Sequence, residues 1–232
     1  MSTIVFASPK GGAGKTTSAV ILATELAQDG ATVTIIDADP NKPLSGWAMR
    51  PGKPETLRVR DDVNEDSIID AIEAASEESA YVIVDLPGAA TMMNGFAISR
   101  ADLVIVPMQG SQLDVTEAVK AIRLVRTQEK AFRRSIPFAV ILTRTSAAIR
   151  PRSLKAIQSV LEQSKIPTFR TQLHEREAYR ALFSFGGGLS GLNPAQVTNV
   201  PAAIANAHAY LAEAVSLLKS GMETKPTMAI AR

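Results

Sequence analysis

Cysteine is absent from the 232 residues. That excludes disulfides, cysteine-based zinc sites and cysteine-held iron–sulfur clusters. No apolar run is long enough to span a bilayer, and no secretory leader precedes the first strand-like run. The expectation is a cytoplasmic protein. Internal repeats and low-complexity tracts are missing too, which excludes solenoid architectures. Tryptophan occurs once, at Trp47, where packing is the first reading and a sensor of local movement the second.

What is present is ordinary in bulk and uneven in detail. Hydrophobic residues make up 46% and charged residues 21%, as in globular proteins. The length suits one α/β domain with a sizeable core, expected over residues 1–220, with 221–232 as a mobile tail. The formal net charge is +2. Yet residues 1–115 hold 8 Lys+Arg against 16 Asp+Glu, and residues 116–232 hold 17 against 7. Either the halves neutralise each other, or the second half meets an anionic partner, nucleic acid first.

The most specific stretch is Lys10-Gly11-Gly12-Ala13-Gly14-Lys15-Thr16-Thr17. It follows the apolar run Thr3–Ala7 and opens a helical pattern over Gly14–Asp29. Strand, glycine-rich turn and helix is the setting a phosphate-binding loop needs. Its N–H groups cradle an anion at a helix N-terminus. Lys15 reaches the β- and γ-phosphates, and the Thr16 hydroxyl suits Mg²⁺. The standard spacing would put glycine where Pro9 stands, and Lys10 is an additional lysine.

Strands alternating with helices then indicate a parallel sheet covered on both faces. Ala31–Asp37 is a β-branched strand ending in Asp37-Ala38-Asp39-Pro40. Carboxylates at a strand's carboxyl end lie where α/β sheets bind ligands, although Asp-Pro is also a turn with capping duty. Residues 41–56, rich in proline and glycine, read as loop. Leu57–Arg60 is an edge strand, and Asn64 caps a helix reaching Ser76. Ala80–Asp85 ends in Asp85-Leu86-Pro87-Gly88, the pattern of a strand-end aspartate that holds Mg²⁺. Ala89–Arg100 is a helix, Asp102–Pro107 a strand, and Gln109–Asp114 a polar stretch expected to line the site. On the helix Val115–Arg134, Lys120, Arg123, Arg126, Lys130 and Arg133 share a face, bordered by Arg134. This is a solvated face or a DNA contact. Pro137–Thr143 is a strand, Pro151–Gln163 a helix, Thr168–Thr171 a short strand, His174–Phe185 a helix and Ala202–Lys219 a last helix.

The lysine-bearing loop resembles the deviant Walker A motif of the ParA/MinD family of ATPases. The Asp37–Pro40 and Asp85–Gly88 stretches resemble its two switch motifs. Arg176-Glu177-Ala178 and Ser184-Phe185-Gly186 stand where ParA proteins carry similar letters. The absence of cysteine separates the chain from cluster-carrying relatives. The resemblance implies a doubly wound P-loop fold, ATP and Mg²⁺, and a weak Mg²⁺-dependent ATPase. Lys10, Lys15 and Asp39 would be catalytic, with Asp39 orienting water. Thr16, Asp37 and Asp85 would attend the metal. Gly11, Gly12, Ala13, Gly14, Lys15, Thr16, Thr17 and Gly88 would hold phosphate, and Thr143 and Arg144 would reach adenine. It further implies an ATP-bound sandwich homodimer with Lys10 crossing the interface, non-specific DNA binding at the nucleoid, and a ParB-like adaptor that stimulates hydrolysis. The function implied is segregation of a plasmid or chromosome, or positioning of another cargo. The last helix carries an apolar stripe of Ile204, Leu211, Val215 and Leu218 with only Lys219 as a strong base. Stable membrane binding of the MinD kind is therefore not expected. The small ParA type, without an N-terminal helix-turn-helix, is the expectation. A membrane-positioning ATPase and a metabolic P-loop ligase are the alternatives.

Overall fold

The apolar runs of the sequence become the strands of one sheet. The computed structural model describes residues 1–89, 91–148 and 152–223. Its strands are β1 (Ser2–Phe6), β2 (Val33–Asp37), β3 (Leu57–Arg60), β4 (Tyr81–Asp85), β5 (Leu103–Met108), β6 (Phe138–Thr145) and β7 (Leu173–His174). They lie in the order β3-β2-β4-β1-β5-β6-β7, and every pairing is parallel. Parallel strands need crossovers, and helices supply them. These are α1 (Lys15–Gln28), α2 (Pro43–Ala48), α3 (Ile68–Glu78), α4 (Met92–Ser99), α5 (Gln112–Phe132) and α6 (Arg152–Gln163), while α7 (Glu177–Phe185) and α8 (Val200–Glu223) follow the last strand.

Period-two alternation sends neighbouring strand residues to opposite faces. Ile4, Phe6, Ile35, Ile83 and Ile105 pack beneath α1, α2, α7 and α8. Val5, Ile36, Val82, Val84 and Val104 pack beneath α3, α4, α5 and α6. This is the doubly wound α/β class the sequence implies. The chain departs to opposite sides of β1, and the carboxyl ends of strands flanking such a point form the usual ligand crevice.

Four expectations are corrected. Residues 41–56 contain α2, because Pro43 sits in its first turn, where a missing N–H costs nothing. The strand expected at Thr168–Thr171 makes only an isolated bridge from Thr168 to Val140. The Glu213 carboxylate accepts the Arg170 and Thr171 N–H groups, drawing the backbone out of the ladder, and β7 forms later. His174 therefore ends a strand, and α7 begins at Glu177. At the other end α8 runs from Val200 to Glu223, beyond the expected Ala202–Lys219 at both ends. The rest of the expected tail, with Ala90, Pro151 and Arg150, lies outside the described residues. Among the described residues no helix is long and apolar enough to cross a membrane.

Candidate functional site

β1 ends at Phe6 in mid-sheet, and the chain curls over that end into α1. Gly12 and Gly14 take φ of 77° and 96°, left-handed values that suit glycine. No side chain caps α1, so its first N–H groups and its positive end are left to an anion. The curl is fixed from behind. The Thr143 hydroxyl donates to the Ala13 carbonyl at 2.7 Å, and the Gln109 amide donates to the Gly12 carbonyl at 2.8 Å. From the front, Gly88 lies so close that a Cβ there would sit 3.3 Å from the Gly11 nitrogen.

Acidic groups converge beside the loop. Asp37 and Asp85 are register partners at the ends of β2 and β4, and both are fully buried. Asp85 accepts the Thr16 hydroxyl at 2.7 Å on Oδ2. Asp37 accepts the Leu44 and Ser45 N–H groups on Oδ2. The Oδ1 atoms of both carboxylates are buried with no hydrogen-bond partner. Two orphaned carboxylate oxygens beside a hydroxyl form a donor set that suits a hard divalent cation. Burial pushes the Asp85 carboxyl up to about 7, against the pull of Thr16 and Lys15. Burial also raises Asp37, against the α2 N–H groups. Lys15 is shifted down by desolvation, which Asp85 and Asp39 oppose. Asp39 stands at the mouth, half-buried, with Oδ1 accepting both Asn41 nitrogens.

Lys10 does not point into this cluster. Its ammonium pairs with Asp114 Oδ1 at 2.8 Å, and the Asp114 side chain is only 2% exposed. Ser111 caps α5 and bonds the other Asp114 oxygen, so Lys10 is held against the start of that helix.

A cavity of about 370 Å³ opens on the far side of the loop. Gly14, Thr17 and Ser18 form one wall, and Thr143, Arg144, Tyr179 and Phe183 are among the others. That volume suits a small organic ligand. Arg144 is exposed at its rim with φ of 52°. Arg176 and Arg180 line it as well, and Arg180 pairs with Glu175 at 2.8 Å.

The fold thus brings Lys15, Thr16, Asp37, Asp39, Asp85 and Gly88 around the loop, while Thr143 and Arg144 face the adjoining cavity. Thr143 has its hydroxyl committed to the loop backbone, a role that strand pattern alone does not reveal. Asp114, Gln109, Tyr179 and Phe183 were not singled out by the sequence. The polar run Gln109–Asp114 was the available signal for two of them.

A family model described as VirC1 protein matches residues 1–221. A protein named ParA from Rhizobium radiobacter is 43% identical over 210 residues, covering 90% of this chain and 94% of that one. A virC1 protein from the same organism is 31% identical over 187 residues, covering 78% and 80%. Among solved structures, apo McdA from Cyanothece superposes with a TM-score of 0.73 at 22% identity, covering 96% and 99%. An ATP complex of a substituted McdA from Cyanothece superposes with a TM-score of 0.69 at 22% identity, covering 99% of each chain. At that identity the structural likeness is one of fold.

Proposed function

The chain belongs to the VirC1 protein family and has a ParA protein among its relatives, and on that premise we propose that it is a ParA-type partition ATPase working as an ATP-dependent dimer. The observation that carries the reading is the cluster of Lys15, Thr16, Asp37 and Asp85 around an uncapped helix N-terminus, with Lys10 beside it and outside it.

In this reading the triphosphate of ATP lies on the Gly11–Thr17 backbone, and its base enters the cavity bordered by Thr143, Arg144 and Tyr179. Lys15 neutralises phosphate charge in its own subunit. Thr16 and Asp85 hold Mg²⁺, with the free Oδ1 of Asp37 beside them. The cation, when bound, screens the charge that builds on the phosphate oxygens. Asp39 accepts a hydrogen bond from the attacking water and so aims it at the γ-phosphate. Gly88 offers its N–H to that phosphate.

Lys10 supplies the step that needs a second subunit. In the resting chain it neutralises Asp114. On closure it leaves that partner and reaches the other subunit's phosphates, as an arginine finger does in other phosphoryl-transfer enzymes, where the gain is roughly 10³–10⁵ in rate. Lys10→Ala should therefore leave a folded monomer that binds ATP but does not dimerise with it. Sedimentation velocity with and without ATP tests this, and an unchanged ATP dimer would overturn it.

The dimer would bind duplex DNA without sequence preference and release it after hydrolysis stimulated by a ParB-like adaptor. Nucleoid association follows from that. Within residues 120–134 and 154–163 the exposed cations without an ion pair among the described residues are Arg123, Lys130, Arg133 and Lys155, and these are the DNA contacts of this reading. Lys120 and Arg126 are paired to Glu117 and Glu129.

A further inference from the structure

The Ser184-Phe185-Gly186 letters continue into Gly187 and Gly188, and none of these residues enters the proposed nucleotide site. The fold sets the run against α2. The Trp47 indole N–H donates to the Gly187 carbonyl at 3.2 Å, and the Arg50 guanidinium donates to the Ser184 carbonyl at 3.2 Å. The contact is close on the backbone side too. A Cβ on Gly186 would lie 2.4 Å from the Arg50 Cβ and 2.7 Å from the Pro51 carbonyl oxygen. One on Gly187 would lie 2.9 Å from the Gly52 carbonyl oxygen. Both glycines have positive φ, 83° and 65°. Two adjacent positions where no side chain fits make a clamp, not a spacer.

The clamp grips the turn Arg50–Gly52 that follows α2 and, through Trp47, α2 itself, and α2 is six residues long. A helix that short does not stand by itself, because so few hydrogen bonds do not offset nucleation. Its outer end is held by Trp47, 1% exposed, and by the glycine run. Its first turn presents the Leu44 and Ser45 N–H groups to Asp37 Oδ2, at 2.9 and 3.0 Å. Those two bonds fix the carboxylate and leave Oδ1 as the orphaned atom beside Asp85.

We propose that the Gly186–Gly187 pair, acting through Trp47 and α2, is the positioning element that aims the free oxygen of Asp37 into the cation site. The inference rests on the reading of that site as a Mg²⁺·ATP site. Trp47 and Gly187 touch neither nucleotide nor metal. They act by holding the helix whose N–H groups orient the carboxylate. The run also leaves α7 directly, and α7 lines the cavity beside the loop.

The test separates metal from nucleotide. Mn²⁺ stands in for Mg²⁺, and free Mn²⁺ is counted by electron paramagnetic resonance in the ATP-loaded full chain. Metal-free ATP affinity is measured by calorimetry in EDTA. Gly187→Ala should weaken Mn²⁺ binding about tenfold and leave metal-free ATP affinity within twofold. Trp47→Phe keeps an aromatic ring and deletes the N–H donor. It should weaken Mn²⁺ binding about threefold, in the range one hydrogen bond is worth. In the unaltered chain Trp47 is the only tryptophan. Its emission should shift when Mg²⁺ is added to the ATP-loaded protein and stay still when ATP is added in EDTA.

Trp47→Phe with unaltered Mn²⁺ affinity overturns the proposal, as does a loss of metal-free ATP binding equal to the loss of metal. Emission that does not respond to Mg²⁺ while Mg²⁺·ATP binds overturns it without any variant, should Gly187→Ala fail to fold. An unaltered chain that takes up no nucleotide overturns the nucleotide-site reading, and the clamp's function with it.

Discussion

At the carboxyl ends of β1, β2 and β4, charged side chains are buried and aimed at one place. Along α5 and α7 they are spread out and mostly committed to partners of their own. The acidic region holds Asp37 and Asp85 fully buried with one oxygen each unpaired. In the basic region one atom, Arg176 Nε, is buried without a partner, but most of the charges are exposed or paired. Arg134 donates to the Ser99 and Ala101 carbonyls at the end of α4. Arg126 pairs with Glu129 and stacks 4.9 Å over the Phe138 ring. Arg144, Arg176 and Arg180 line the cavity beside the phosphate loop, Arg144 and Arg180 from its exposed rim. An orphaned buried charge is strongly unfavourable and persists where a ligand completes it, whereas a paired surface charge costs little and says little about function. The same count of charges therefore means different things in the two regions.

The sharpest way to break the comparison is at Lys15, the cation among the buried acids. Lys15→Ala removes the one positive charge that both Asp85 and Asp39 feel there. We expect ATP affinity to fall at least about a hundredfold, the scale of losing a charge-assisted hydrogen bond to phosphate. Calorimetry reads it directly. Affinity within threefold of the unaltered chain would show that the loop does not hold phosphate in the way proposed.

Ionisation gives a second, intermediate effect. Folded, Asp85 holds its proton up to about pH 7, against an ordinary value of 3.8. Between those values the folded chain binds more protons than the unfolded one, so stability falls as pH rises. Asp37 and Glu25 are raised by burial as well and act in the same direction. The nucleotide-free protein should lose thermal stability from about pH 4 to about pH 7, with Asp85 contributing up to about 1.4 kcal/mol per unit. Asp85→Asn should flatten the profile, since an amide carries no such proton. Scanning fluorimetry across pH checks both, and identical slopes for the two proteins would place the buried charge elsewhere.

Much of the acidic region was legible because its chemistry is local. Glycines before Lys15-Thr16, and aspartates closing apolar strands, declare themselves within a few residues. What escaped was set by distant partners. α2 was hidden in a proline-rich stretch because its first-turn N–H groups are received by Asp37, upstream of any usual cap. β7 was displaced because Glu213, over forty residues further on, takes the N–H groups of the expected strand. Helical spacing told correctly that the cations of α5 recur along one helix. It could not tell that Arg126 would find Phe138, or that Arg134 would find the end of α4. Lys10 was legible as unusual, but its resting partner Asp114 was not, because the pair spans over a hundred residues.

The smallest effect separates the basic residues from one another. Arg134 is half-buried and satisfies two carbonyls at 2.8 and 2.6 Å, so it belongs to the fold. Removing it strands those acceptors. Arg134→Ala should cost about 2 kcal/mol, or a fall of about 4–8 °C in a chain of this size. Its DNA affinity should be unchanged once the protein is held below that temperature. Lys130 is exposed, with no ion pair among the described residues. Lys130→Ala should leave the melting temperature within about a degree, as a surface substitution does. In the ATP state it should weaken binding to unrelated duplexes alike and lower the slope of log affinity against log salt by about 0.9 for each phosphate that is no longer neutralised. In a two-fold dimer each substitution counts twice, so the slope should change by about 1.8 if both copies touch the same duplex. A slope that moves with Arg134 and not with Lys130 would mean that the DNA surface lies at the α4–α5 junction. A slope that moves with neither would assign the basic excess of the second half to neutralising the acidic first.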